Sequence, residues 1–260
     1  LFSVGIRAIS AYMPTRRSPH PLARPGDDEA HVWTALISTC RPQLPFFERL
    51  LSEEERMKAA RFVRPEDRAR SIVAHGLLRQ LLGDYLSVEP TGLNFRQNEL
   101  GKPALVPCPG QPALSFNLSH SGEVILFAMT AGRRIGVDIE EIRKNFDFME
   151  VAKGQFSERE FTALQGMSGA EQTDAFFRCW TRKEAYLKAR GEGLGYPLKN
   201  FSVSISPTAP PAVEWAADDP AAAERWAVRD LAEIPGYAGA VVCEGRATRF
   251  VSRRWLAAGG

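Results

Sequence analysis

Leu51-Ser52-Glu53-Glu54-Glu55 returns, shifted from 51 to 156, as Phe156-Ser157-Glu158-Arg159-Glu160. In each copy a serine stands three residues before a glutamate, the capping-box signature of a helix start. The hydroxyl accepts from the third helical N–H, and the carboxylate reaches back to the serine's own N–H. A break and a long helical pattern follow each copy. After the first, Arg64-Pro65 interrupts, and 66–86 carries Ile72, Leu77, Leu78, Leu81 and Leu82 at helical spacing. After the second, 174–190 reads as a long helix ended by Gly191, Gly193 and Gly195. Strand patterns come next in both halves. The match is short, and one continuous α+β domain with two ordinary capping boxes is the simpler alternative. The expected fold is α+β: two similar lobes related by a pseudo-two-fold, each an antiparallel sheet packed on a long helix. The expected division is 1–132 for an N-terminal lobe and 133–260 for a C-terminal lobe.

Strands are expected at 31–37, 113–118, 124–130, 134–140, 201–205, 213–215, 227–230 and 239–244. Ser119-His120-Ser121-Gly122 is expected as a turn between two of them, and 101–112 as a loop. Residues 1–28, rich in Pro, Arg and Asp, read as an irregular arm, and 206–223 as a hinge-like Pro/Ala/Asp stretch.

The chain has 260 residues, 44% hydrophobic and 25% charged, which suits a globular protein with a sizeable core. Net charge is +2, from 33 basic and 31 acidic residues, too balanced for a general nucleic-acid binder. Cys40, Cys108, Cys179 and Cys243 are dispersed with no C-x-x-C pair, so neither zinc nor a disulfide framework is expected, and a cytoplasmic setting fits. No apolar run reaches the ~18 residues of a membrane span, and Arg7 breaks the apolar start, which does not read as a signal peptide.

Two segments concentrate the chemistry. In Gly136-Val137-Asp138-Ile139-Glu140, strand alternation puts both acids on one face and both branched apolar residues on the other. In Trp180-Thr181-Arg182-Lys183-Glu184-Ala185-Tyr186-Leu187-Lys188, Glu184 and Lys188 lie one helical turn apart, a spacing that also describes an ordinary surface pair. Phe176, Phe177 and Trp180 just before them make this helix a firm platform. Three carboxylates and a cation suit a hard metal ion holding a phosphorylated ligand, because Mg²⁺ takes oxygen donors and shares its shell with phosphates. The 119–122 segment offers hydroxyls and an imidazole to a phosphate, or is a plain hairpin turn. No G-x-S-x-G elbow supports a serine hydrolase. Arg56, Lys58, Arg61, Arg64, Arg68 and Arg70 form either a phosphate-binding edge or a mixed-sign solvated helix.

In order, the basic segment, Gly101-Lys102-Pro103, Phe116-Asn117-Leu118-Ser119-His120-Ser121-Gly122, the Gly136–Glu140 strand and the Trp180–Lys188 helix resemble the 4′-phosphopantetheinyl transferases, most closely the surfactin-synthetase-activator (Sfp) type. The resemblance runs from about Ser52 to Phe201, and its last two motifs are the specific ones. It implies transfer of the phosphopantetheine arm of coenzyme A to a serine of an apo acyl or peptidyl carrier protein, with release of 3′,5′-ADP. Mg²⁺, with Mn²⁺ as an alternative, is the implied metal, held by Asp138, Glu140 and Glu184. Lys188 is implied at the pyrophosphate, and Lys58, Arg61, Ser71, Lys102, Ser119 and His120 along the coenzyme A site. Glu55 and His75 depart from the family pattern, at positions where it carries basic residues. Glu184 is the expected base, directly or through a water. Phe148, Met149, Phe156 and Phe161 are candidates for carrier contact, with core packing the alternative. The expected partners are coenzyme A and peptide-synthetase, polyketide or fatty-acid carriers, with no nucleic acid or membrane, and the two-lobed chain is expected to act as a monomer. The rival readings are another Mg²⁺-dependent phosphoryl-group enzyme, such as a nucleotide pyrophosphatase, and a binding module for coenzyme A or a carrier.

Overall fold

Val124–Thr130 is buried at all seven positions, so it needs apolar residues on both faces and must lie inside the protein. The computed structural model, which describes residues 10–12, 22–99, 101–107, 109–143 and 146–256, makes it an inner strand of a five-stranded sheet. The strands are β1 (Ser10–Tyr12), β2 (Glu29–Leu36), β3 (Phe95–Gln97), β4 (Pro103–Leu105), β5 (Ser115–Ser121), β6 (Val124–Thr130), β7 (Ile135–Glu141), β8 (Phe201–Val203), β9 (Val213–Ala216), β10 (Trp226–Asp230), β11 (Tyr237–Glu244) and β12 (Arg249–Trp255). The helices are α1 (Ile37–Cys40), α2 (Leu44–Leu50), α3 (Glu53–Ala60), α4 (Pro65–Leu86), α5 (Phe148–Gln155), α6 (Glu158–Gln165), α7 (Gly169–Arg190) and α8 (Ala222–Arg225).

One sheet runs β1-β12-β2-β6-β5 and another β10-β11-β7; β3-β4 and β8-β9 are two-stranded ribbons. β2 pairs antiparallel with β6 and β7 with β11, and β6 and β11 each also pair antiparallel with the strand just before, β5 or β10. Alternation then sorts the core. Trp33, Ala35, Phe116, Ile125 and Phe127 pack against Ile72, Leu77, Leu81 and Tyr85 of α4. The opposite face, through Val32, Leu126 and Ala128, packs against Val137, Ile139 and Val241 of the second sheet. Ala240 and Val242 on the far side of that sheet pack on Ala185, Tyr186 and Ala189 of α7. The order of layers is helix, sheet, sheet, helix.

Both capping boxes form, at Ser52 with Glu55 and at Ser157 with Glu160. Each capping carboxylate is also held by a buried cation on the long helix that follows: Arg79 Nε donates to Glu55 at 2.7 Å, and Lys183 Nζ to both Glu160 oxygens at 2.8 and 2.7 Å. Each cation also lies over a phenylalanine that opens the next strand, Arg79 over Phe95 at 5.1 Å and Lys183 over Phe201 at 4.2 Å. Burying a charge is costly unless it is paired and hydrogen-bonded, and here each lobe solves that problem with the same three-part device.

Several expected boundaries move. β5 continues through Ser121, so Ser119 and His120 lie on a strand and the turn is Gly122-Glu123. α7 begins at Gly169, before the expected Asp174, and α2, α5 and the ribbon β3-β4 were not expected from the pattern. β12, also unexpected, pairs parallel with both β1 and β2, so Arg249–Trp255 crosses the division at 132/133 and lies in the first sheet. Of the expected arm, 1–9 and 13–21 lie outside the described residues, as does Cys108. No described helix is long and apolar enough to cross a membrane.

α7 lies directly on β7 because Gly136 has no side chain: a Cβ there would overlap the backbone at Ala185 and Ala189. Gly136→Ala is therefore expected to cost about 2–3 kcal/mol, read as a lowered midpoint in denaturant unfolding. His31 is buried on β2, with Nδ1 2.7 Å from the Tyr85 hydroxyl, and burial, aided by the Arg253 charge, lowers its pKa from 6.5 to about 4. The unfolded chain thus binds that proton more tightly, so stability should fall as pH drops from about 6.5 to about 4, by on the order of 3 kcal/mol. Unfolding measured across that window should show a shallower slope in His31→Asn.

Candidate active site

β5 and β7 are outer strands of their sheets, and side chains join them. Alternate residues of β5 do the joining. Asn117 Oδ1 accepts the backbone N–H of Val137 at 2.8 Å. Ser119 Oγ donates to Asp138 Oδ1 at 2.9 Å, and Ser121 Oγ donates to Glu140 Oε2 at 3.1 Å. α7 adds a third element, since Lys188 Nζ donates to Asp138 Oδ1 at 2.6 Å and to Ser119 Oγ at 3.0 Å. Residues distant in the chain, from both lobes, thus meet at one carboxylate. Asp138 is only 3% exposed, so it is no solvated strand end.

The electrostatics show what this cluster lacks. Burial raises the pKa of Asp138, against the opposing pull of Lys188 and Ser119. Burial and then the Asp138 charge raise Glu140. Glu184 is raised by burial, then by Asp138 and Glu140, while Lys188 opposes. Three carboxylates that disfavour one another's ionisation share a region where the Lys188 ammonium, with the Arg143 charge acting on Glu140, offsets them only in part. Asp138 Oδ2 is buried with no hydrogen-bond partner, and Glu184 makes no hydrogen bond or ion pair among the described residues. Among those residues no three His, Cys, Asp or Glu side chains stand as a ready-made metal cluster. The orphaned oxygen and the all-oxygen donor set nonetheless fit a hard divalent cation, whose charge would relieve the mutual repulsion.

Family comparison covers both halves. The model described as 4′-phosphopantetheinyl transferase superfamily matches residues 134–242, and that described as 4′-phosphopantetheinyl transferase, N-terminal, matches 37–132. The chain is 36% identical over 218 residues to the 4′-phosphopantetheinyl transferase HetI of Nostoc sp. (strain PCC 7120), covering 84% of this chain and 89% of that protein. The chain belongs to the 4′-phosphopantetheinyl transferase superfamily. It is also 35% identical over 159 residues to the 4′-phosphopantetheinyl transferase Sfp of Bacillus subtilis (strain 168), covering 61% of this chain and 68% of that protein.

The other residues that the transferase resemblance singled out are spread more widely. His120 follows Ser119 on β5 and reaches solvent; crowding by surrounding atoms, then the charges of Arg70 and Lys188, lowers its pKa, with His75 adding to the effect. Ser71 is half-buried on α4, and its carbonyl accepts from His75 Nδ1 at 2.9 Å. In the sequence Arg70 belongs only to a charge run and His75 only to a departure from the family pattern; their closeness to His120 depends on how α4 lies beside β5. Lys58 is exposed and paired with Glu54 at 2.7 Å, and Arg61 is exposed at the end of α3. Lys102 stands elsewhere. Its Nζ donates to the carbonyls of Ile135 at 3.1 Å, Lys188, and Ala189 at 3.4 Å, and burial, with the Arg134 charge, brings its pKa down to about 8. Phe156 is buried and stacked on Phe176, so it is core; Phe148, Met149 and Phe161 are half-buried against the same core, and Phe146, 41% exposed, had not been singled out.

Because burial holds the Asp138 carboxyl above its ordinary pKa, its ionised form costs stability as pH rises from the unfolded towards the folded value. Asp138→Asn should therefore leave metal-free stability near that of the wild type. Millimolar Mg²⁺ should raise the melting temperature of the wild type and leave the variant's unchanged, as read by thermal unfolding with and without the ion.

Proposed function

We propose that this chain transfers the 4′-phosphopantetheine arm of coenzyme A to a serine hydroxyl of an apo acyl or peptidyl carrier protein and releases 3′,5′-ADP. Family membership supports the reaction, and one structural observation supports the site: Ser119, Asp138 and Lys188 bond to one another across the two lobes, leaving Asp138 Oδ2 without a partner. We read the lobes as related by a pseudo-two-fold and divided near 132/133. The recurring strand order and the paired Glu55–Arg79–Phe95 and Glu160–Lys183–Phe201 groups support that reading.

Asp138, Glu140 and Glu184 would hold Mg²⁺, which when bound supplies positive charge against the pyrophosphate. The nucleophile belongs to the carrier, so this chain needs none. Glu184 takes the serine proton, directly or through a water, and it is free of other bonds among the described residues. The serine oxygen then bonds to the phosphorus bearing pantetheine, and the bond from that phosphorus to the bridging oxygen breaks. Lys188, which now pairs with Asp138, stabilises the charge gathering on the 5′-phosphate of the departing 3′,5′-ADP. Ser119, His120 and Arg70 line the nucleotide side, and Ser71 and His75 carry that wall along α4. Phe146, with Phe148 and Met149 beside it, offers an apolar contact for the carrier.

Mass spectrometry of an apo carrier incubated with coenzyme A, Mg²⁺ and this protein should show addition of one phosphopantetheine. Release of 3′,5′-ADP should require the carrier; release without it would favour a pyrophosphatase, and binding without release a binding module. Glu184→Gln should lower transfer by about 10²–10⁴-fold with the fold intact by circular dichroism. Near-normal turnover in that variant would remove Glu184 from the mechanism.

A further inference from the structure

α7 carries Glu184 and Lys188 towards β7, and its C-terminal end is held by the other lobe. A helix ends with carbonyls that have no intrahelical donor. Here Lys102, just before β4, places its ammonium beneath them. Lys188 O and Ala189 O both accept from Nζ, and Ile135 O, at the start of β7, accepts from it as well. A lysine ammonium has three protons; three carbonyls take all three. The arrangement leaves no donor for a phosphate. Asn98, facing Lys102 across the ribbon, completes the grip: its Oδ1 accepts the Lys102 N–H at 2.7 Å, and its Nδ2 donates to Gly191 O at 2.8 Å. Gly191, in the left-handed region at φ 78°, closes the helix by donating to Leu187 O at 2.9 Å. The cation sits at the negative end of the α7 dipole, where positive charge is favoured.

We infer that Lys102, seconded by Asn98, is a positioning residue: it ties the C-terminal end of α7 and the start of β7 to the first lobe, and so sets where Glu184 and Lys188 stand relative to Ser119. Glu184 precedes Lys188 by about one turn, about 6 Å along the axis, so a slip of the helix end moves both together. Lys188 reaches Ser119 and Asp138 only with α7 at this height. The assignment rests on the transfer activity proposed above for its kinetic consequence, but not for its structural one.

The test uses the full chain with Lys102→Met, which keeps the apolar stem and removes the donors, Lys102→Arg, and Asn98→Ala, each first checked for a native circular dichroism spectrum. A clamp predicts that Lys102→Met lowers kcat by about 10–100-fold, as misplacement of catalytic groups by about an ångström does, with the KM for coenzyme A within about threefold of wild type. Asn98→Ala should show a smaller loss of the same kind, and Lys102→Arg should recover part of kcat. Should Lys102→Met not fold, Asn98→Ala alone decides. A raised KM for coenzyme A at unchanged kcat would make Lys102 a substrate contact and overturn the assignment. Hydrogen exchange read by mass spectrometry provides an activity-free reading: amides at 135–137 and 187–191 should exchange about tenfold faster in Lys102→Met, and unchanged protection there would also overturn it. If the wild-type protein transfers nothing, the proposed function falls, and the exchange measurement still decides the clamp.

Discussion

Asp138 is buried beside another lobe, and the protein has to make that tolerable. A carboxylate removed from water needs compensation at both oxygens. Ser119 from one lobe and Lys188 from the other supply it at Oδ1; Oδ2 is left without any. The neighbouring contacts, Asn117 to Val137 and Ser121 to Glu140, keep β5 and β7 at the spacing this arrangement requires. The two sheets and two long helices serve to hold the seam still. Its incomplete satisfaction is the kind of local conflict expected where a ligand is meant to enter.

The lobes share a frame and divide the chemistry. In both, a capping glutamate, a buried cation and a phenylalanine tie a short helix to a long one and to the next strand. The frame is then used differently. β7 carries Asp138 and Glu140, whereas β2 has no carboxylate after Glu29 and fills its positions with Val32, Trp33 and Ala35. The first lobe contributes hydroxyls and cations around His120, and the second contributes acids. A site made this way exists only while the halves stay in register, which is why the close approach at Gly136 and the grip on the end of α7 bear on chemistry they never touch.

Much of this was readable in the chain. The capping boxes work because serine and glutamate at that spacing satisfy backbone donors locally, with no tertiary partner needed. Val137 and Ile139 revealed the buried face of their strand, and so the shared face of Asp138 and Glu140. The misreadings came from residues whose surroundings are non-local. Ser119-His120-Ser121 looks like a turn because it is polar and small, yet it is polar because a second strand carrying Asp138 and Glu140 lies beside it. Lys102 looks like a free cation in a loop, and only the folded chain shows helix carbonyls around it. The Arg-rich run of β12 hides a strand; Arg253 lies over the Trp33 ring at 5.6 Å, so its charge is compatible with a sheet interior position.

That last strand has a consequence for how the molecule is put together. Because β12 inserts between β1 and β2, the second lobe lies in chain order between two inner strands of the first sheet, β6 and β12. Cutting the chain at the seam between the family-matched halves would strip β2 of one of its two neighbours and bare a run of unpaired amide and carbonyl groups, a template for pairing with any passing strand. The halves look like separable modules, but they are tied as a loop is by its knot, and the first cannot be complete until synthesis has passed through the whole of the second.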